Sequence, residues 1–323
     1  MIRPARPAVL IGLLLALSGA PALANDPGAD GLFGRDVRGG VALKGRIWLH
    51  GLGALAWFDL ATHVRHVEIP NGVLDAAKWN GEVWALRRRA DLPAPDPSRS
   101  RYSAYYWRGG GFFELPPLTA KTADGPQKLA MSAAGPRLVG RGAIWSLPRN
   151  GSRWSERAVR WPKGESGRDF AAAAASADGR SVYLAHKGGP LIRLDTASGR
   201  AAGLGGGPVV GLAQDPKQPA CVLVAYADRL ARACGAEVKP IPATPAFAEP
   251  LTGVAAEGDV VWAASRAAAY RVTGGKAERL PLPAWTPLTD LEISRPAPEA
   301  VLVLSNLSAH AADTPAPLLL TGP

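Results

Sequence analysis

The chain has 323 residues, 47% of them hydrophobic and 20% charged, with a formal net charge of +10. This composition excludes a disordered or fibrous polypeptide and supplies enough apolar material for an extensive core. The charge favours anionic partners, yet no basic run is interleaved with aromatics, which argues against a nucleic-acid groove.

In chain order, the first element is a leader. Arg3 and Arg6 precede the apolar run "AVLIGLLLALSGA", and the small residues Ala22 and Ala24 close it. A basic start, a short apolar run and an A-x-A site read as a secretory signal peptide over residues 1–24. The run is shorter than the roughly 20 residues that a membrane span needs, so no transmembrane anchor is expected. No cysteine follows the cleavage point to carry a lipid. The expectation is a periplasmic or secreted protein with a single domain over residues 25–323.

That domain is a repeat. Seven runs rich in small apolar residues occur in order: "GGVALK", "GVLDAAK", "KLAMSAA", "FAAAAASA", "PVVGLAQ", "LTGVAAE" and "LTDLEIS". Each is followed by a more apolar run, starting at Arg46, Glu82, Arg137, Ser181, Cys221, Val260 and Val301. Those starts lie 36, 55, 44, 40, 39 and 41 residues apart. Further short alternating runs follow in the first six copies, separated by Gly, Pro, Asp and Asn turns. Four short strands per roughly forty residues is the pattern of a propeller blade. The predicted fold is therefore all-β: a seven-bladed β-propeller of four-stranded antiparallel blades. The innermost strand of each blade faces a crowded central channel, which accounts for "AAAAASA" without a helix. The chain stops at "APLLLTGP", one strand short of a full seventh blade. The segment "GLFGRDV", residues 31–37, is expected to supply that outer strand and close the ring at the N-terminus, since an open edge is a liability.

Cys221 and Cys234 fall on the second and third strands of the fifth blade and face each other across one hairpin. In an exported chain they read as a disulfide. A redox-active pair is the alternative, although the spacing is far from C-x-x-C. Trp48, Trp84 and Trp262 hold equivalent places on second strands and read as packing between blades. Trp107 is placed at a partly exposed position, and Trp285 on a connection between blades, on the face where propellers bind. His50, His63, His66, His186 and His310 form no metal motif. His50 and His186 end second strands nearly opposite each other, where a channel-mouth acid–base pair competes with surface histidines of no role.

Two connections break the rhythm, "RRRADLPAPDPSRSRYS" in the second blade and "LSAHAADTPA" in the seventh. Both join second to third strands and should stand on one face. The first carries Arg87, Arg88, Arg89, Arg99 and Arg101 against Asp91 and Asp96, and its prolines favour an extended course. Arginine forks suit carboxylates and phosphates, so an anionic partner is the physical match. A solvated loop that tolerates insertion, with its arginines set by genome composition, is the competing reading.

The run "ADGRSVYLAHKGGPLIRLDTASGR" resembles the repeat of bacterial exported propellers of the YVTN/NHL-like kind. "GRIWLHGLGALAWFD" is similar to the regulator-propeller repeat of sensor ectodomains. The resemblance is at the level of the repeat and implies the fold more strongly than any activity. Enzymes among such propellers include calcium-dependent lactonases and streptogramin lyases, whose sites need Glu, Asn and Asp on several inner strands. Here the inner strands offer Asp75, Asp290 and Glu292, with no asparagine, against the six or so oxygens of a hard cation. The function expected is a non-catalytic, exported binding or scaffold module with no cofactor and no metal. Its partner would be a protein or another anionic component of the cell envelope, engaged through the five arginines and Trp285. The alternatives are a lactonase-like hydrolase or lyase using Asp75, Asp290 and Glu292, and a small-ligand sensory domain.

Overall fold

The computed structural model describes residues 37–43, 46–51, 53–59, 65–89, 101–116, 118, 125–148, 153–162, 169–265, 268–281, 288–292, 300–305 and 318–321. Residues 1–24, expected to be a leader, lie outside them. Every described element is a strand. The first sheet comprises β1 (Val37–Leu43), β2 (Arg46–Gly51), β3 (Ala54–Asp59) and β4 (Arg65–Ile69). The second comprises β5 (Val73–Trp79), β6 (Glu82–Arg88), β7 (Tyr102–Arg108) and β8 (Gly111–Glu114). The third holds β9 (Pro126–Ser132), β10 (Gly135–Gly140), β11 (Ala143–Ser146) and β12 (Ser155–Ala158), and the fourth β13 (Phe170–Ala175), β14 (Ser181–His186), β15 (Leu191–Asp195) and β16 (Ala201–Gly205). The fifth holds β17 (Val209–Gln214), β18 (Cys221–Tyr226), β19 (Leu230–Cys234) and β20 (Glu237–Ile241), and the sixth β21 (Leu251–Glu257), β22 (Val260–Ser265), β23 (Ala268–Thr273) and β24 (Lys276–Pro281). The last is three-stranded: β25 (Leu288–Glu292), β26 (Ala300–Ser305) and β27 (Leu318–Thr321). Within each sheet the strands pair antiparallel in chain order.

The reason for the repeat is visible in burial. Second strands such as β10, β14 and β18 are buried at every residue, because both of their faces meet neighbouring sheets. Continuous apolar runs follow from that, rather than alternation. Fourth strands such as β12, β16 and β20 are half-buried or exposed. Apolar clusters fill the seams between consecutive sheets; Tyr183, Ala185 and Leu191 of the fourth meet Val222 and Val224 of the fifth. Trp48 and Trp84 are likewise buried in seams, and each stands opposite a smaller residue of its first strand, Val41 and Ala77. Trp262, opposite Ala255, is also buried. Trp107 departs from the expected partial exposure: it is buried against Trp48, with ring centroids 5.3 Å apart.

First strands pack beside first strands, β1 by β5, β5 by β9 and on through β21 by β25, and β25 also lies beside β1. Each pairs with its second strand through a register shift near its start, for example between Val73 and Asp75 and between Leu288 and Asp290. The bulge adds one residue and re-aims those after it. Crowding around the axis is direct: a Cβ on Gly211 would fall 2.9 Å from the Cα of Gly253 in the next sheet.

One boundary expected for the closing strand is corrected. Val37 is the first residue of β1, paired with Gly51, and so belongs to the first sheet. A chain crossing from the outer edge of one sheet to the inside of the next uses at least residues 70–72 or 206–208, so a closing strand cannot run up to residue 37. Residues 31–36 lie outside the described residues.

Cys221 and Cys234 pair across the β18–β19 hairpin as a disulfide, with Cα atoms 4.3 Å apart. Replacing both with alanine should lower stability by about 3 kcal/mol, from the freedom restored to the unfolded loop. A urea titration checks this; an unchanged midpoint would show that the crosslink adds nothing to the hairpin.

Candidate functional site

The first strands enclose a cavity of about 460 Å³ along the axis. Most of its wall is small: Ala171–Ala175 of β13, Gly211 and Ala213 of β17, Ala255 and Ala256 of β21. Among the described residues, its ionisable side chains are His50, Asp75, Lys78 and Lys128. A volume of this size suits a small molecule, and its wall of short side chains presents more polar than apolar surface.

Three of these four form one corner. Asp75 and Lys128 are the first residues after the bulges of β5 and β9, so they stand at one level of adjacent strands. Asp75 Oδ2 accepts the Leu129 backbone N–H at 2.7 Å. Its Oδ1 stands 3.6 Å from Lys128 Nζ and 3.9 Å from His50 Nε2. The carboxylate therefore joins two sheets and neutralises a lysine, which engages both of its oxygens structurally. His50, at the end of β2, is buried with its ring over Gly39; a Cβ there would come within 2.4 Å of Nε2. At the other end of the cavity Gln214 Nε2 donates to the carbonyls of Met131 and Ala175, each at 3.2 Å, tying three sheets together.

His50 and His186 are not surface residues, whereas His66 is exposed. His186 is also buried, stacked on Phe170 with centroids 5.1 Å apart and Nδ1 3.3 Å from the Asp169 carbonyl. It does not line the cavity that His50 lines, so the two form no pair. His186 instead exemplifies a recurring clasp on the face that carries the connections between sheets, hereafter the upper face. A residue at the end of a second strand, opposite the residue that opens its first strand, reaches the connection leading into that first strand. Arg87 donates to the Asn71 carbonyl at 3.0 Å and to Asn71 Oδ1 at 2.7 Å. Tyr226 stands over Gly206, whose carbonyl accepts from Arg229 Nη2 at 2.8 Å. Ser265 Oγ donates to Glu249 at 3.3 Å, and Glu249 also accepts from Tyr270 Oη and, at 2.7 Å, from Arg279. No sequence pattern marks these partners, because the contact joins a strand end to a loop of variable length.

Of the five arginines expected to bind, Arg87 is thus committed to Asn71. Arg88 is exposed and pairs with Tyr102, and the Arg89 N–H donates to the Arg101 carbonyl at 2.7 Å, closing the base of the long connection. Arg99 and Trp285 lie outside the described residues, as does the seventh-sheet connection. Asp290 and Glu292 occupy β25, opposite Leu304 and Leu302; their side chains are outside the description. Asp290 follows the bulge of its strand as Asp75 does. Among the described residues no His, Cys, Asp and Glu cluster could hold a metal ion, and no helix is long and apolar enough to cross a membrane.

No protein-family model and no curated protein matches the chain. Solved structures do. The extracellular domain of the two-component-system candidate BT4673 from B. thetaiotaomicron superposes with a TM-score of 0.59 at 12% identity, over 90% of this chain and 38% of that one. The chain thus spans well under half of that domain. A chain of the mitotic checkpoint complex gives 0.60 at 10% identity over 94% of this chain and 93% of its own. The computationally designed Ika8 protein gives 0.54 at 10% identity over 89% and 96%. Identities this low speak to fold alone, and the fold they share with this chain is β-propeller-like.

Two predictions follow from the contacts. Asp75→Ala should cost about 1–3 kcal/mol, since it strands the buried Leu129 N–H, whereas Asp75→Asn keeps an acceptor and should cost less; equal melting of both variants and wild type would remove the structural role. Glu249 is held below the ordinary carboxylate range, first by the Tyr270 hydroxyl and then by Arg279. Its contribution is then present above the unfolded-state value of about 4.3 and is lost as pH falls through the lower folded-state value. The stability advantage of wild type over Glu249→Gln should therefore shrink on acidification; thermal melts from neutral to acid pH give the comparison, and a constant difference contradicts it.

Proposed function

We propose that the chain is an exported binding module, a seven-bladed propeller that engages an anionic protein or other envelope component through its upper face. The observation that carries the reading is the stem of the long second-sheet connection. The Arg88–Tyr102 pair and the Arg89–Arg101 backbone bond close the sheet at the point where the connection leaves it, two residues beyond Leu86, the partner of Asp75. Loops presented by a rigid scaffold are where binding residues concentrate, and guanidinium forks match carboxylates and phosphates.

The architecture and the compartment are part of the proposal. The adjacency of β25 and β1 supports one ring of seven blades, with residues 25–323 as one domain and a strand preceding β1 as the missing edge of the three-stranded sheet. The disulfide supports an oxidising compartment, in keeping with removal of residues 1–24 on export. The neighbours' fold supports a binding or scaffold role, because propellers present broad, rigid loop faces.

The test is in-cell crosslinking and recovery of the mature chain from its own envelope. Wild type is compared with a variant in which Arg88, Arg89, Arg99 and Arg101 are serine and Arg87 is kept for its bond to Asn71. A partner recovered with wild type and absent from the variant is the expected result. The same recovery from both would mean that the connection is a tolerated insertion, and the reading would fall.

A further inference from the structure

A second cationic surface lies at the outer seam between the third and fourth sheets. Beyond β12 the chain runs on to form an isolated parallel bridge, Arg160 with Arg200. The Arg160 N–H donates to the Gly199 carbonyl at 2.8 Å, and the Ala201 N–H donates to the Arg160 carbonyl at 3.0 Å. Val159, Trp161 and Ala201 pack into the apolar seam, which turns the alternate residues Arg160 and Arg200 outward, and both are exposed. Arg157, also exposed, joins them: its stem lies across Gly199, where a Cβ would be 3.2 Å from the Arg157 Cγ. Gly199 adopts φ +71° with the Ala158 carbonyl pressed against it, so glycine is required there on two counts.

Three exposed arginines thus converge on one glycine, and no carboxylate among the described residues pairs with any of them. The neighbouring acids are spent elsewhere. Asp195 accepts from the backbone and hydroxyl of Ser198, each at 2.7 Å, and its other oxygen faces Arg193. Glu156 accepts from Trp145 Nε1 at 3.1 Å. Like charges placed side by side across a strand pair are destabilising. The stitch does not itself demand them. Between the fifth and sixth sheets the same parallel bridge is made by Thr244 and Lys276, with matching backbone bonds of 2.9 Å, and only one of that pair is charged.

We propose that Arg157, Arg160 and Arg200 form a binding site for a phosphate group, free or carried on a lipid headgroup. Planar forks on adjacent strands can each give two parallel hydrogen bonds to one tetrahedral anion, which offsets the repulsion built into the bridge. The site stands apart from the second-sheet connection, so its failure would leave the proposed function untouched.

The experiment titrates the mature chain with inorganic phosphate against chloride at matched ionic strength, followed by calorimetry. In a second arm it is sedimented with vesicles of phosphatidylcholine alone or with added phosphatidic acid. Wild type is run beside Arg157→Ser/Arg160→Ser/Arg200→Ser and beside a charge-matched control, Lys187→Ser/Lys239→Ser/Lys276→Ser. Binding by wild type and the control, weakened at least about tenfold in the arginine variant, is expected from the loss of several charge-assisted hydrogen bonds. Binding in the first arm assigns free phosphate, and binding confined to the second assigns the headgroup. The proposal is overturned if wild type binds in neither arm, if the arginine variant binds like wild type, or if the lysine control weakens equally. Should the triple variant lose its fold, Arg160→Ser/Arg200→Ser alone carries the comparison.

Discussion

The β-bulge near the start of each first strand is the constraint on which the interior depends. It fixes which residue of each sheet stands at the upper level of the channel: Gly39, Asp75, Lys128, Ala172, Gly211, Gly253 and Asp290. First strands packed against one another leave room for little more than glycine or alanine there. A charged residue at that level must be met by a partner on the adjacent strand, since an isolated buried charge is costly. Asp75 and Lys128 meet that requirement together, and the Leu129 N–H completes it. The corner is thus a joint between sheets before it is anything else.

The same bulge explains the upper-face clasps. It leaves a residue at the end of the second strand opposite the residue that opens the first strand, as Arg87 is to Val73, His186 to Phe170 and Tyr226 to Val209. That side chain is then close to the chain arriving from the previous sheet. Arginine, histidine, tyrosine and serine all serve, because the requirement is reach and a polar or flat group rather than one chemistry. Seams of apolar contact below and clasps above make each sheet depend on its neighbours, so that stability is shared around the assembly.

Much of this was legible in the sequence. The runs beginning at Arg46, Glu82, Ser181, Cys221 and Val260 start second strands at those residues, because a strand buried on both faces is a continuous apolar run bounded by turns. The third and seventh begin one or two residues earlier, at Gly135 and Ala300. The Cys221–Cys234 pairing followed from hairpin register, a local property. Side-chain environments were another matter. His50 reads as a surface histidine until Gly39 is placed beneath it, and Trp107 reads as half-exposed until Trp48 is placed against it. Arg87 looks like one member of an arginine cluster, but its direction is set by Asn71, sixteen residues earlier. Arg160 and Arg200 are forty residues apart with no motif joining them, and only the bridge between sheets brings them together.

The excess of positive charge also acquires a structural meaning. Most of the described carboxylates are consumed by the scaffold: Asp178 by Ser176 and the Arg180 N–H, Asp215 by two backbone N–H groups and Arg232, Glu82 by Trp84 and Arg108, Glu68 by Trp57. Turns and clasps need acceptors, and a carboxylate offers several at once. Arg46, Arg141, Arg193 and Arg232, which face carboxylates, are half-buried, while Arg88, Arg157, Arg160 and Arg200 project into solvent. A genome rich in arginine would raise the count of basic residues without deciding where they stand. The distribution is decided by the fold, which draws negative charge into its joints and leaves positive charge on its connections. Among the described residues, an approaching anion meets exposed guanidinium groups with no carboxylate partner at Arg88, beside the second-sheet connection, and at Arg157, Arg160 and Arg200, on the seam of the third and fourth sheets.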